Sequence, residues 1–311
     1  MTEASRPQEG RVAIITGAGR GIGREHALAY AKAGASVVVN DFGGAGDGTG
    51  GSHSPAEQVA EEIRAAGGKA VANYDDVSEP ESSENLIKTA VDEFGRLDVL
   101  VNNAGILRDR TLLNTSVEDW DSVVKVHLRG MFLTSKAAGN HWRERSKAGE
   151  EVSGRIINTT SGSGLFGNFG QANYAAAKAG VAAMTIVAAL ELERYGVTVN
   201  AIAPVAKTRL TASAGMEAEL ADGFDPYDPK HVSPVVLWLG SPEAGGVTGR
   251  VFSVIGGYVG VADGWSITSQ LFQEDGPLTY ERIAAELPGV VGGAKPKSHP
   301  SDAHPYGRKR S

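Results

Sequence analysis

The 311-residue sequence contains no cysteine, which rules out a disulfide framework, a thiolate metal site and a cysteine nucleophile. It also lacks an excess of positive charge. Thirty basic side chains stand against 37 acidic ones, a net charge of −7. That argues against nucleic acid as a general partner, because such binding needs a basic face that displaces counterions. The opening "MTEASRPQEG" has no apolar core of a signal peptide. No stretch reads as the roughly 18 apolar residues of a membrane span. A cytoplasmic protein without a membrane partner is the expectation. Seven histidines are present, but none form a ligand-spaced cluster and no HExxH occurs, so no metal site is expected. Ser161 lies in no G-x-S-x-G elbow, which sets aside an acyl-transfer nucleophile.

What the chain does contain is alternation. "RVAII" (11–15), "SVVVN" (36–40), "KAVAN" (69–73), "LDVLVN" (97–102), "GRIINTT" (154–160), "VTVNAIA" (197–203) and "GRVFSVIGG" (249–257) read as strands. Helical patterns lie between them near 21–34, 55–67, 79–94, 116–140, 172–194 and 231–240. Strand runs without polar alternation imply burial on both faces, and helical crossovers imply parallel pairing. The pattern predicts an α/β fold: a doubly wound Rossmann-type parallel sheet of about seven strands with helices on both faces. One domain is expected over 1–294, with a disordered tail over 295–311. A glycine-rich insertion (42–54) and a charged loop (143–153) exceed what such a sheet needs.

The first strand leaves through "TGAGRGIG", with Gly17, Gly19, Gly21 and Gly23 spaced by Arg20 and Ile22. Such glycines permit a tight turn and a close backbone approach to a pyrophosphate at the helix N-terminus. Asp41 ends the second strand, where a carboxylate can accept from adenosine ribose hydroxyls and repel a 2′-phosphate. NAD is therefore expected as cofactor, in preference to NADP. Asp75, Asp76 and Val77 follow the third strand near the expected adenine, and Asn103, Ala104 and Gly105 in "NNAG" follow the fourth. Open α/β sheets bind ligands at these strand ends.

Tyr174 and Lys178 are four residues apart, on one helix face. A neighbouring ammonium favours phenolate, which predicts a lowered tyrosine pKa and a phenol able to exchange protons near neutral pH. Ser161 ends the fifth strand and can hydrogen-bond the same substrate oxygen.

Glycine turn, acidic strand end, "NNAG", serine and Tyr-x-x-x-Lys, in that order, resemble the short-chain dehydrogenase/reductase family from about residue 8 to 260. The resemblance implies that Tyr174 is the general acid/base, that Lys178 activates it and holds the nicotinamide ribose, and that Ser161 orients the substrate. It implies nicotinamide contacts from Pro204 and Thr208. Two positions depart from the family pattern: His127 stands where an asparagine is common, and Val205 where a glycine is common. His127 is expected to support its helix. "NNAGILRDR", "VHLRG" and "GLFGNFGQANYAAAK" further resemble the (3R)-hydroxyacyl-CoA dehydrogenase branch. That implies a (3R)-3-hydroxyacyl-CoA substrate, with a hydroxysteroid or a CoA ester of a steroid fragment as alternatives, and a homodimer or homotetramer packed through helices 116–140 and 172–194. Lys207, Arg209, Arg143, Arg145 and Lys147 are candidates to meet CoA phosphates, and 211–224 to lid the substrate. A non-catalytic NAD-binding sensor is the alternative of another class; intact Ser161, Tyr174 and Lys178 argue against it.

Overall fold

The computed structural model describes residues 6–208, 223–267, 269–274 and 276–294. Arg209, most of the expected lid and the tail 295–311 lie outside them. Eight strands form one sheet in the order β3-β2-β1-β4-β5-β6-β7-β8. They are β1 (Val12–Thr16), β2 (Ser36–Asn40), β3 (Lys69–Asn73), β4 (Val99–Asn102), β5 (Gly154–Thr159), β6 (Val197–Pro204), β7 (Val251–Ile255) and β8 (Tyr258–Ala262). β1 to β7 are parallel, and β8 pairs antiparallel with β7 through the tight turn at Gly256 and Gly257. This eighth strand extends the expected sheet at one edge.

The helices are α1 (Gly21–Lys32), α2 (Ser54–Ala65), α3 (Pro80–Phe94), α4 (Val117–Val124), α5 (Gly130–Lys147), α6 (Gly162–Phe166), α7 (Ala172–Leu192), α8 (Ser233–Leu239) and α9 (Tyr280–Gly292). Alternate residues of each strand feed two separate cores. Ala13 and Ile15 of β1 pack with Tyr30, Ile63 and Leu239 beneath α1, α2 and α8. Val12 and Ile14 pack with Leu86, Trp142 and Ala189 beneath α3, α5 and α7. Burial on both faces explains why the strand runs lack polar alternation. The strand order reverses between β1 and β4, which opens a crevice at their carboxyl ends.

Three expectations change. The helix expected over 116–140 is interrupted by a π-helical stretch, Lys125–Arg129, and α5 continues to Lys147, taking the first part of the charged loop. α5 runs back against the strand direction. Its end therefore lies by the strand starts, where Trp142 Nε1 donates to the Leu97 carbonyl (2.8 Å) and Arg11 reaches the Ser153 carbonyl (3.0 Å). Arg143, Arg145 and Lys147 thus sit at the sheet edge opposite the crevice, paired with Glu144 and Glu150. They cannot meet a ligand at the strand ends. Finally, the helical stretch Ala172–Tyr195 is long and apolar enough to cross a membrane by length and composition. Here it flanks the sheet and carries the buried Lys178.

Candidate active site

The first turn of α1 has no side-chain cap, because Arg20 occupies the capping position and its guanidinium leans toward the Gly44 carbonyl instead (3.5 Å). The N–H groups of that turn are the orphan donors of a helix start, pointed into the crevice side of β1. Gly23 is required there. A Cβ on it would stand 2.2 Å from the Gly17 carbonyl oxygen and 2.5 Å from Asn103 Nδ2. The Ile22 side chain packs toward the core, which leaves its N–H for the crevice. Thr208 rests its methyl group over Gly21.

Asp41 uses both carboxylate oxygens on backbone: Oδ2 accepts from Gly19 N (2.8 Å) and Oδ1 from Gly43 N (2.7 Å). It thereby ties the glycine turn to the insertion, and each oxygen keeps a second lone pair for a ribose hydroxyl. Other expected contacts are partly spent on structure. Asp75 Oδ2 accepts from Asn73 and Asn85, so it turns away from an adenine role. Asp76 Oδ1 accepts from Ser78 N and Oγ. Val77 puts its side chain in the core and its carbonyl on Ser83. Asn103 Nδ2 donates to the carbonyls of Thr16 and Gly17, and Ala104 N donates to Thr16 Oγ1, which locks the "NNAG" turn onto β1.

A buried amide ladder fixes the strand ends that carry the remaining groups. Asn102 Nδ2 donates to Asn158 Oδ1 (2.9 Å), and Asn158 Nδ2 donates to Thr185 of α7 (3.0 Å). From this base β5 presents Ser161, which caps α6 by accepting from Ser163 N. α7 presents Tyr174 and Lys178. The lysine is 2% exposed, and among the described residues its Nζ donates to one protein acceptor, the Thr159 carbonyl (2.5 Å). Burial pulls its pKa down to about 7.

Burial likewise pushes the Tyr174 phenol up to about 12; the Ser161 hydroxyl pulls it back and the Asp109 carboxylate adds to the rise. This corrects the lowered tyrosine pKa expected from sequence. Nζ lies 5.7 Å from the ring centroid, and burial disfavours the lysine's charge as well as the phenolate's, so it outweighs the help that the ammonium gives. The groups of this chain by themselves hold a protonated phenol.

His127 lies in the π-helical stretch and is buried, with its ring edge-on to Tyr174 (centroids 5.1 Å apart). Its Nε2 meets Ile106 N (3.1 Å) and Ile106 O (2.7 Å), and the tautomer decides which bond is made. Burial, then the Lys178 charge, hold its pKa well below the usual value. The imidazole is therefore held neutral, packed against the Ile106 backbone. Gly105 is its seat: a Cβ there would stand 2.3 Å from the ring. Pro204 ends β6 beside Val254.

Several neighbours of Tyr174 escape the sequence reading. Gln171 Oε1 accepts from Ser163 and Asn168 while Nε2 donates to Asp109 (2.8 Å), and Asn173 Oδ1 accepts from Tyr174 N (2.8 Å). The signal lies in two places: the charged run "RDR" (108–110), two residues after "NNAG", and "GQAN" directly before the tyrosine. Lys207 also differs from expectation. It is ion-paired to Asp225 (3.0 Å) over the Tyr227 ring, so its charge is already met.

Uncapped α1 and Lys178, with two N–H groups beyond its single protein bond, fit a dinucleotide whose pyrophosphate and ribose hydroxyls would use them. The family described as short chain dehydrogenase matches residues 11–218. The chain is 47% identical to the mouse peroxisomal multifunctional enzyme type 2 over 81% of its own length and 32% of that protein's, so it spans about a third of that relative. It is 48% identical to the hydroxyacyl-CoA dehydrogenase ChsB1 of Mycobacterium tuberculosis, covering 79% of this chain and 78% of that one. A short chain dehydrogenase structure from Mycobacterium avium superposes with a TM-score of 0.84 at 49% identity, over 94% of this chain and 98% of that one.

Proposed function

The chain belongs to the short-chain dehydrogenase family, an oxidoreductase acting on CH–OH groups with a nicotinamide cofactor, and from that premise we propose that it uses NAD to interconvert (3R)-3-hydroxyacyl-CoA and 3-oxoacyl-CoA thioesters. One observation carries the dehydrogenase reading: Ser161, Tyr174 and a buried Lys178 meet at the carboxyl end of β5.

The cofactor's nicotinamide supplies or accepts the hydride. Lys178 holds the ribose through its two remaining N–H groups, and the α1 turn with Arg20, Gly21, Ile22 and Gly23 holds the pyrophosphate. Tyr174 gives its proton to the substrate oxygen in reduction, the form in which burial keeps it. In oxidation it takes that proton back, more readily beside a positive charge. Ser161 orients the oxygen between them. Asp41, poised beside Gly19, favours ribose hydroxyls over a 2′-phosphate. Val77 N–H, Asp76, Asn103, Ala104, Gly105, Pro204 and Thr208 line the rest of the crevice in this reading.

Support for a thioester comes from the relative named for hydroxyacyl-CoA and from one cation. The backbone of Arg110 pairs with that of Gln171, its exposed guanidinium donates to the Asp109 carbonyl (2.8 Å) and has no ion pair among the described residues, and Leu112 and Leu113, two and three residues on, are exposed, as is Phe169, two residues before Gln171. A CoA ester brings both phosphate and apolar chain to such a rim; a free steroid brings only the latter. The exposed faces of α5 and α7 support a homo-oligomer.

The test is a side-by-side assay of 3-oxoacyl-CoA with NADH and hydroxysteroid with NAD, each repeated with the phosphorylated cofactor and at raised salt. We expect the thioester to win, with KM rising in salt and in Arg110→Ala. NAD should lead NADP in kcat/KM, and Asp41→Ser should narrow that gap. Faster steroid turnover, indifferent to salt and to Arg110→Ala, would reverse the substrate assignment; a wild-type preference for NADP would reverse the cofactor.

A further inference from the structure

The glycine-rich insertion is joined by hydrogen bonds to the segment that holds the helix carrying Tyr174, and Arg108 takes part through both its side chain and its carbonyl. Arg108 donates from Nε to the Asp47 carbonyl of the insertion (2.9 Å) and from Nη1 to Asp119 Oδ1 of α4 (3.2 Å). Its own carbonyl accepts from Asn173 Nδ2 (3.0 Å), which also reaches the Asp119 carbonyl (3.3 Å). Asn173 is fully buried, and its Oδ1 accepts the N–H of Tyr174 (2.8 Å). The insertion is seated on the same segment by Leu107 N to the Gly46 carbonyl (3.0 Å) and by Gly48 lying against Ile106. At its other end it begins at Asp41, whose two oxygens hold Gly43 and Gly19. A continuous path thus runs from the glycine turn, through Asp41, the insertion and Arg108, to the backbone of Tyr174.

We propose that Arg108 is a positioning residue that couples the cofactor groove to the catalytic tyrosine, with the insertion as the coupling element. The inference rests on the reading of Tyr174 as acid/base. The physical case is one of geometry. Guanidinium is planar and forked, so it can hold a carbonyl and a carboxylate at once in fixed directions. The pair is only about a quarter exposed on each side, so it is less screened than a surface pair. Among the described residues the Asn173 amide nitrogen meets two acceptors, the carbonyls of Arg108 and Asp119. Removing the Arg108 side chain leaves the insertion held to this segment by the Leu107 bond and frees the segment from Asp119, so the carbonyl within 106–110 that seats Asn173 loses its fixed direction and the first turn of α7 loosens with it. A displacement of 1 Å at a reacting group is worth about 100-fold in rate.

The test separates kcat from cofactor affinity. In Arg108→Ala we expect kcat, at saturating NADH and substrate, to fall at least tenfold, with a smaller loss of NADH affinity read by fluorescence. Arg108→Lys restores one contact at a time and should recover part of kcat. Asp119→Asn keeps the shape and removes the charge, so it should match Arg108→Lys; this pair carries the test if Arg108→Ala does not fold. A kcat within threefold of wild type in Arg108→Ala, with only NADH affinity changed, would reduce the insertion to a cover over the cofactor and overturn the coupling. Equal loss in the alanine and lysine variants would overturn it too. Tyr174→Phe, assayed alongside, keeps the two readings apart: an active Tyr174→Phe enzyme sinks the acid/base assignment itself, whatever Arg108 does.

Discussion

Lys178 shows what the site costs the fold. Its ammonium is buried with a single carbonyl for company, and the pKa of about 7 measures that discomfort against about 10.5 in the unfolded chain. Between those values the unfolded chain binds the extra proton. Stability therefore climbs as pH rises from 7 toward 10.5, and the full cost is felt below 7. Each pKa unit is worth about 1.4 kcal/mol, so a drop from 10.5 to about 7 corresponds to a cost on the order of 5 kcal/mol as an upper bound; losing the Thr159 bond takes back about 1 kcal/mol. Lys178→Met should thus be inactive yet more stable than wild type by about 1–3 kcal/mol at pH 6, with the advantage shrinking at pH 9.5. Urea unfolding at the two pH values checks it. A variant less stable than wild type at pH 6 would mean that the ammonium is well solvated where it sits. The sequence spacing brought Tyr174 and Lys178 together, but four-residue spacing says nothing about depth. Depth decides the direction of both pKa values, which is why the tyrosine shift was read backwards.

At the scale of elements, the π-helical stretch at Lys125–Arg129 places His127 between the "NNAG" turn and the Tyr174 ring. Such stretches are frequent at functional sites, where the wider turn re-aims a side chain. His127 Nδ1 is buried without a partner among the described residues, so the imidazole spends one nitrogen to hold Ile106 and leaves the other unmet. Asparagine can offer an acceptor and a donor to the same Ile106 backbone groups. His127→Asn should therefore fold and keep kcat within about tenfold of wild type, a barrier change under about 1.4 kcal/mol. A loss as deep as that of Tyr174→Phe would give the imidazole a direct chemical role. The helix break itself was illegible: "DWDSVVKVHLRGMFLTSK" has a continuous helical period, and a single wide turn leaves that period intact. The strands were legible because burial on both faces writes itself as unbroken runs. β8 was missed although "GG" before "YVGVA" is a hairpin signal; an edge strand with half-exposed valines lacks the core run that marked the others. The charged residues at 143–147 were misplaced for a different reason. Composition marks them as surface, and only the direction of α5 tells which end of the sheet that surface adjoins.

For the whole molecule, one question is what covers the outer face of α5 and α7. Phe132, Ile186, Val187 and Leu190 are exposed there, with Leu190 at 74%. Three of the four project from α7, the helix whose first turns carry Tyr174 and Lys178. Single exposed apolar residues need no explanation, but a cluster on two adjacent helices marks an interface. A second copy of this chain is the occupant this reading commits to, since a two-fold contact needs only one self-complementary face. The expected outcome is a scattering mass that is a multiple of the monomer's, and a Tm that rises with protein concentration, as subunit association requires. Ile186→Glu with Leu190→Glu puts two like charges into each half of the contact, four across the two-fold. Isolated charges in an apolar interface cost several kcal/mol, enough to split a dimer at micromolar concentration. The double variant should elute as a monomer and melt lower, with its Tm no longer dependent on concentration. Neither residue touches the crevice, so NADH binding should survive in the monomer. A wild type that is monomeric at all concentrations, or a double variant that keeps the wild-type mass, would mean that this face is left to water and that the α7 surface owes its apolar character to packing alone.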